Sequence, residues 1–308
     1  MSAGGGIGRD VRIVEVGPRD GLQNERSFVP TPVKVELARR LAAAGVPELE
    51  LTSLVSPRAV PQLADAEEVL AAARDLEGPT LSALVPNERG LERLTAHPHV
   101  ETVAVFTAAS EEFNRRNINA SIEESLERIA PVIRRSLESG RQVRAYVSMA
   151  FGCPWEGPVD PGRVGELAGR LVELGAGEVA LGDTIGVAVP AEVGPMVRRV
   201  CEHLDVGDVA LHLHDTRGTG IACAIAGLDA GVTTFDTAVA GLGGCPFADG
   251  ATGNLATEDL AWVLERSGCF TGIDLDALLD ASRWISGQVG LEDPRSHLAR
   301  APAWPPNA

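Results

Sequence analysis

Short runs of branched and apolar residues alternate with longer amphipathic runs along nearly the whole chain, and this alternation restricts the fold most. Strand-like runs are read at 11–16, 49–52, 80–84, 103–107, 143–148, 178–181, 209–214 and 234–236. Helical runs are read at 32–44, 64–74, 88–96, 121–139, 161–174, 191–204, 220–230 and 257–267, with an added helix at 274–286. Strands separated by helices return parallel to one another, because the crossover carries the chain back to the same edge. Eight such units in about 250 residues fit a closed (β/α)8 TIM barrel. An open doubly wound sheet is the alternative, but no Gly-x-Gly-x-x-Gly follows the first strand.

Local signals agree with this division. Thr31 is read as a helix N-cap with Pro32 at the first helical position, and Gly45 as the stop. Ser121 to Glu124 has the pattern of a capping box. The stretch between 107 and 121 is read as a long loop. The domain plan is a Gly-rich lead at 1–10, one barrel domain with its added helix at 11–290, and a tail at 291–308.

The formal net charge is −16, which argues against a general nucleic-acid surface and leaves room for a local basic site. Five cysteines without a CxxC spacing suggest a reducing compartment and no disulfide framework. No run approaches the ~20 apolar residues needed to span a bilayer, and the lead lacks a signal-peptide core. A cytoplasmic protein with no membrane and no nucleic-acid partner is expected, as a homo-oligomer, most simply a dimer.

In a (β/α)8 barrel the chemistry sits where strands end and the following loops begin. His212 and His214 stand at i and i+2 at the end of the seventh strand, so both rings face one side. Taken alone, that spacing is as consistent with two satisfied buried histidines as with half a metal site. His97 and His99 have the same spacing, but they precede a strand, flank Pro98 and lack an acidic companion, so they are read as a solvated loop. At the strand ends lie Arg19 and Asp20 after strand one, Glu50 in strand two and Asp183 after strand six. A Gly-rich loop from Gly241 to Asn254 follows strand eight and carries Cys245. Asp20, His212, His214 and Asn254 make a nitrogen and oxygen donor set suited to Mg²⁺ or Mn²⁺, with Zn²⁺ or Co²⁺ behind them. Arg19 suits a carboxylate or developing oxygen charge, although a lone Arg-Asp-Gly is as a rule a surface turn. Cys245 on a mobile loop could pass a proton. Cys201 and Cys223 read as small buried hydrophobes.

These residues carry a resemblance. The chain resembles the hydroxymethylglutaryl-CoA lyase family of metal-dependent TIM-barrel lyases. The matching stretches are Val14 to Glu25, Ser56-Pro57 with Val60 to Gln62, Asn117 to Asn119 with Ser121 to Ser125, and Gly152 to Pro154 with Glu156-Gly157. They continue through Leu181 to Gly186, His212 with His214 to Thr216, and Gly241 to Asn254 running on to Asp259. The resemblance implies cleavage of 3-hydroxy-3-methylglutaryl-CoA to acetoacetate and acetyl-CoA, as in leucine catabolism and ketone-body formation. It implies metal ligands at Asp20, His212, His214 and Asn254, an enolate-stabilising arginine at Arg19, a proton-handling cysteine at Cys245, and the strand-two glutamate at Glu50. Asp20, Glu50 and His212 are all candidates to take the substrate hydroxyl proton. Contacts with the acyl-CoA substrate are expected from Gln23, Arg115, Arg116, Asn117 and Asp183, with Arg115 and Arg116 as the cations for the CoA phosphates. Leu51, Leu54, Leu213, Arg217 and Thr252 depart from the family pattern. Arg217 raises a lyase for another branched 3-hydroxyacyl-CoA as an alternative. A Claisen-type condensing enzyme is a further one, although roughly 50 residues after the last barrel helix leave no room for a regulatory domain.

Overall fold

The computed structural model describes residues 8–25, 27–244 and 253–302. Eight strands form the barrel: β1 (Arg12–Glu15), β2 (Glu48–Ser53), β3 (Thr80–Leu84), β4 (Thr102–Ala108), β5 (Gln142–Ser148), β6 (Glu178–Asp183), β7 (Val209–Leu213) and β8 (Thr234–Thr237), and a two-residue antiparallel pair, Gly152–Cys153 with Gly157–Pro158, lies outside it. Every neighbouring pair in the barrel is parallel, and β1 pairs with both β2 and β8, which closes it. The helices are α1 (Thr31–Ala43), α2 (Ala66–Ala72), α3 (Glu88–Leu94), α4 (Glu111–Ile118), α5 (Ile122–Glu138), α6 (Pro161–Leu174), α7 (Pro190–Val200), α8 (Gly220–Asp229), α9 (Thr257–Arg266), α10 (Leu275–Gln288) and α11 (His297–Arg300). The expected (β/α)8 TIM barrel is therefore the observed one.

Strand alternation sorts the two faces. On β4 to β7 the odd-numbered residues, such as Val105, Val143, Leu181 and Leu211, join the large apolar layer beneath the helices. The even-numbered ones point into the barrel, where Leu84, Ala104, Tyr146, Ala180 and Ala210 form a small inner cluster. The interior also holds charged side chains. Arg12 bridges Glu48 and Glu178 near the N-terminal end, and Arg144 reaches both Glu178 and Asp236. The same parity that aims Leu211 at α8 aims His212 inward.

Three local expectations are corrected. Residues 111–118 form α4 rather than loop, because Ser110 caps Phe113 N and Asn119 ends the helix in the left-handed region. Two helical turns are too short to display a periodic pattern. Thr31 lies inside α1, whose N-cap position is Pro30, and its hydroxyl donates to Asp65 at 2.7 Å. His97 is buried rather than solvated, and His99 Nε2 meets Leu70 O at 2.8 Å, because this loop is packed under α2. The capping box at Ser121 and Glu124 is formed.

After α9 the chain returns to the end of α1, where Asp274 N donates to Ala44 O at 2.8 Å. α10 runs beside α1, with Arg40 over the Trp284 ring at 4.6 Å. Asp259 then accepts from Ser296 Oγ, His297 N and Leu298 N, which ties α11 to α9.

Candidate active site

Immediately after β1 the backbone makes one wide turn, Gly17–Gly21, in which Gly21 N donates to Val16 O across five residues. Such single π turns are rare and frequent at functional sites. The turn presents Arg19 and Asp20 side by side at the C-terminal mouth of the barrel. Arg19 Nη1 lies 2.5 Å from Asp20 Oδ1, and Arg19 Nε donates to Glu50 Oε1. Burial alone would lower the Arg19 pKa, but the Glu50 and Asp20 carboxylates push it higher still, so the guanidinium stays charged. Burial would raise Asp20, yet Arg19 and the two histidines hold it down at about 2.

His212 and His214 come from the end of β7, with ring centroids 5.3 Å apart. One ligand atom from each of Asp20, His212 and His214 falls within 4.8 Å of the others. Asn254 is placed beside them by backbone pairing: it bridges His214, and Leu255 N donates to Leu213 O at 2.9 Å. Its Nδ2 donates to Asp20 Oδ2 at 2.9 Å and to Leu242 O at 3.1 Å. Its Oδ1 is buried with no hydrogen-bond partner among the described residues. A buried acceptor left unmade costs about 1–3 kcal/mol unless something else meets it. Three donors already converging with a fourth waiting beside them fit a divalent cation.

The neck of the Gly-rich loop closes on this amide. A side chain at Gly243 (φ +108°) would meet Asn254 Nδ2 at 2.6 Å, and one at Gly253 would meet Gly241 O at 2.1 Å. Arg295 Nη1 donates to Gly243 O and Asn24 Nδ2 to Gly244 O, each at 2.7 Å. Cys245 lies outside the described residues. A cleft of about 470 Å³ runs along the outer side of Asn254 toward Arg295 and His297.

Glu50 is fully buried and engaged on both oxygens, by Arg19 Nε and by the Tyr146 hydroxyl at 3.0 Å. Burial, with the Asp236 and Glu50 charges, pushes the Tyr146 phenol well above its usual value. Arg144 donates to the Tyr146 oxygen at 2.9 Å and to both oxygens of Asp236, and Asp236 Oδ2 meets His212 Nδ1 at 3.1 Å. Arg144, Tyr146 and Asp236 therefore link Glu50 to His212 beneath the mouth. The sequence reading missed all three. One signal was available, because Arg144 and Asp236 are charged residues in strands that should be buried on both faces.

Other expected contacts lie apart from the cluster. Gln23 is half-buried just beyond the wide turn. Asp183 accepts from Val187 N at 2.9 Å and Ala188 N at 3.0 Å, so it braces its own loop. Arg115, Arg116 and Asn117 are exposed on α4, where Arg116 pairs with Glu112 and lies over the Trp155 ring. Arg217 is turned to the Ile185 and Gly186 carbonyls. Leu51, Leu54 and Leu213 are buried core residues, and Thr252 lies outside the described residues.

Fold and site together define a (β/α)8 barrel with a candidate divalent-metal centre and a buried arginine at the C-terminal ends of its strands. The sequence matches the HMGL-like family over residues 10–285. It is 48% identical to the mitochondrial hydroxymethylglutaryl-CoA lyase of Rattus norvegicus over 284 residues, 92% of this chain and 87% of the relative. The HMG-CoA lyase structure from Pseudomonas aeruginosa superposes with a TM-score of 0.91 at 44% identity, covering 95% of this chain and 97% of that one. An HMG-CoA lyase from Acinetobacter baumannii, solved with coenzyme A and 3-methylmalate, superposes with a TM-score of 0.90 at 36% identity, covering 98% and 97%. The chain belongs to the HMGL-like family. No helix among the described residues is long and apolar enough to cross a membrane.

Proposed function

We propose that this chain is a carbon–carbon lyase that cleaves 3-hydroxy-3-methylglutaryl-CoA to acetoacetate and acetyl-CoA. The observation that carries the reading is the buried Asn254 Oδ1, without a hydrogen-bond partner among the described residues and beside Asp20, His212 and His214, with Arg19 next to them. The high identity to hydroxymethylglutaryl-CoA lyases over most of the chain supports the substrate. The relative solved with coenzyme A supports an acyl-CoA ligand.

Asp20, His212, His214 and Asn254 are the residues that would hold Mg²⁺ or Mn²⁺. When bound, such an ion supplies Lewis acidity at substrate oxygens. Cleavage removes the proton from the C3 hydroxyl and breaks the C2–C3 bond. C3 becomes the ketone of acetoacetate, and the bonding pair forms the enolate of acetyl-CoA, which is then protonated at carbon. Arg19, permanently charged and desolvated, faces the growing enolate oxygen. Glu50 holds Arg19 in place through Oε1 and accepts from Tyr146 at Oε2. Asp20, which lies in the donor cluster itself, is the proposed acceptor of the hydroxyl proton, ahead of Glu50 and His212. Cys245 is the proposed proton donor to the enolate carbon. Gln23 is proposed on the substrate side, with Asp183 bracing the loop after β6, and Arg115, Arg116 and Asn117 at the CoA end. Because Arg217 is turned to neighbouring carbonyls, it gives no support to a different acyl group. A single catalytic domain, a homodimer, a cytoplasmic location and a role in leucine breakdown complete the proposal. The curated eukaryotic relatives are mitochondrial.

The test is cleavage of 3-hydroxy-3-methylglutaryl-CoA with added Mg²⁺ or Mn²⁺, with and without chelator. Turnover that chelation abolishes and metal restores is expected. A folded, metal-loaded protein without turnover would sink the assignment. An unchanged KM in Arg116→Ala would remove α4 from the CoA site.

A further inference from the structure

Asp236 touches a proposed ligand without reaching the mouth of the site. It lies on β8 directly opposite His212 in the sheet register and is 1% exposed. Its Oδ2 is 3.1 Å from His212 Nδ1. Arg144 donates Nη1 to the same oxygen at 3.0 Å and Nη2 to Oδ1. Gripped on both oxygens by a guanidinium, Asp236 is a carboxylate, which can only accept hydrogen bonds. The proton of a neutral His212 ring must then sit on Nδ1. Nε2 keeps its lone pair and faces the cluster, 4.0 Å from Asp20 Oδ2. The Tyr146 ring meets the imidazole edge-on with centroids 5.7 Å apart, which limits rotation of the ring.

We propose that Asp236, held by Arg144, is a positioning residue that fixes His212 as the Nδ1–H tautomer and presents Nε2 to the metal. The proposal rests on the reading of His212 as a metal ligand. Carboxylates behind ligating histidines act this way because they orient the ring and raise its basicity. β8 supplies this group from a strand that contributes no ligand of its own to the cluster.

Two measurements test it. The first uses the unaltered protein loaded with Mg²⁺, in which long-range ¹H–¹⁵N spectra report which His212 nitrogen carries the proton. Protonated Nδ1 is expected, and a bare Nδ1 overturns the proposal. The second titrates Mn²⁺ by electron paramagnetic resonance into the parent, Asp236→Asn and His212→Ala, with metal-free melting curves as the control for folding. An asparagine can donate its amide to Nδ1 and drive the proton to Nε2, so Asp236→Asn should weaken Mn²⁺ binding about 10–100-fold. If His212→Ala loses Mn²⁺ but Asp236→Asn binds like the parent, the positioning role is wrong and the ligand reading stands. If His212→Ala also binds like the parent, the ligand reading itself fails. If Asp236→Asn does not fold, the parent's Nδ1 proton decides: a downfield, slowly exchanging signal, as a hydrogen bond to the Asp236 carboxylate requires, supports the positioning role, and an ordinary, rapidly exchanging one overturns it.

Discussion

The molecule contains two histidine pairs of identical spacing. His212 and His214 have ring centroids 5.3 Å apart, and His97 and His99 5.8 Å apart. His97, His212 and His214 are all buried. Ring proximity and burial do not separate the pairs; their surroundings do. Around the β7 pair are Asp20, the open oxygen of Asn254, and the Asp236 carboxylate behind His212. Around the pair before β4, His99 Nε2 meets a main-chain carbonyl, and both Nδ1 atoms lack a hydrogen-bond partner among the described residues. Two imidazoles become a candidate metal site when other strand ends bring oxygen donors to the same point.

The widest expected separation between the pairs is catalytic. His212→Ala or His214→Ala should lower kcat by about 10³-fold, while His97→Ala should stay within about twofold of the parent and cost on the order of 1 kcal/mol of stability. Steady-state rates and urea unfolding check both halves. Equal rate losses for the two pairs would erase the distinction.

A smaller effect separates ligands from the charge beside them. Arg19→Lys keeps the charge but loses the fork that joins Glu50 and Asp20. It should lower kcat by about 10²-fold and leave Mn²⁺ affinity within a few-fold, because Arg19 is not a proposed ligand. A large loss of Mn²⁺ affinity would make Arg19 part of the metal centre.

The smallest effect is in acid. Burial, then His99, lowers the His97 pKa below its ordinary value. Its share of stability is therefore complete above the unfolded value near 6.5 and declines as pH falls through the folded one. Asp20 in the metal-free protein is held at about 2, so its share is complete above the usual 3.8 and is lost only near pH 2. Glu15 and Glu258, pushed by burial to about 7, act in the opposite sense. What they contribute is complete below about 4.5 and is lost as pH rises through 7. Differences between parent and variant isolate each group: His97→Gln should flatten the stability profile below pH 6.5, and Asp20→Asn only at far lower pH. A reversed order would contradict the assigned environments.

Much of the site was legible because barrel chemistry collects at strand ends, and Asp20, His212, His214 and Asn254 all stand there in the sequence. The supporting layer was not. Arg144, Tyr146 and Asp236 sit on strands whose inward or outward facing depends on register, and a one-residue shift would reverse it. Asp183 and Arg217 show the converse. Each stands at a strand end like a site residue, yet their polar groups meet nearby backbone, which only the loop conformation reveals.

The sequence by itself determined the β/α alternation, and with it a parallel sheet with one mouth where the strand ends gather. It also determined the kinds of donor available at those ends, since residue types fix which atoms can bind a hard cation. The tertiary structure decided which of two equal histidine pairs meets Asp20 and Asn254, because closure between β1 and β8 brings together residues far apart in the chain. It also decided the state in which His212 is presented. That follows from Asp236 lying opposite it on β8 with Arg144 locked against its carboxylate, a relation of register and distance that no spacing within one strand encodes.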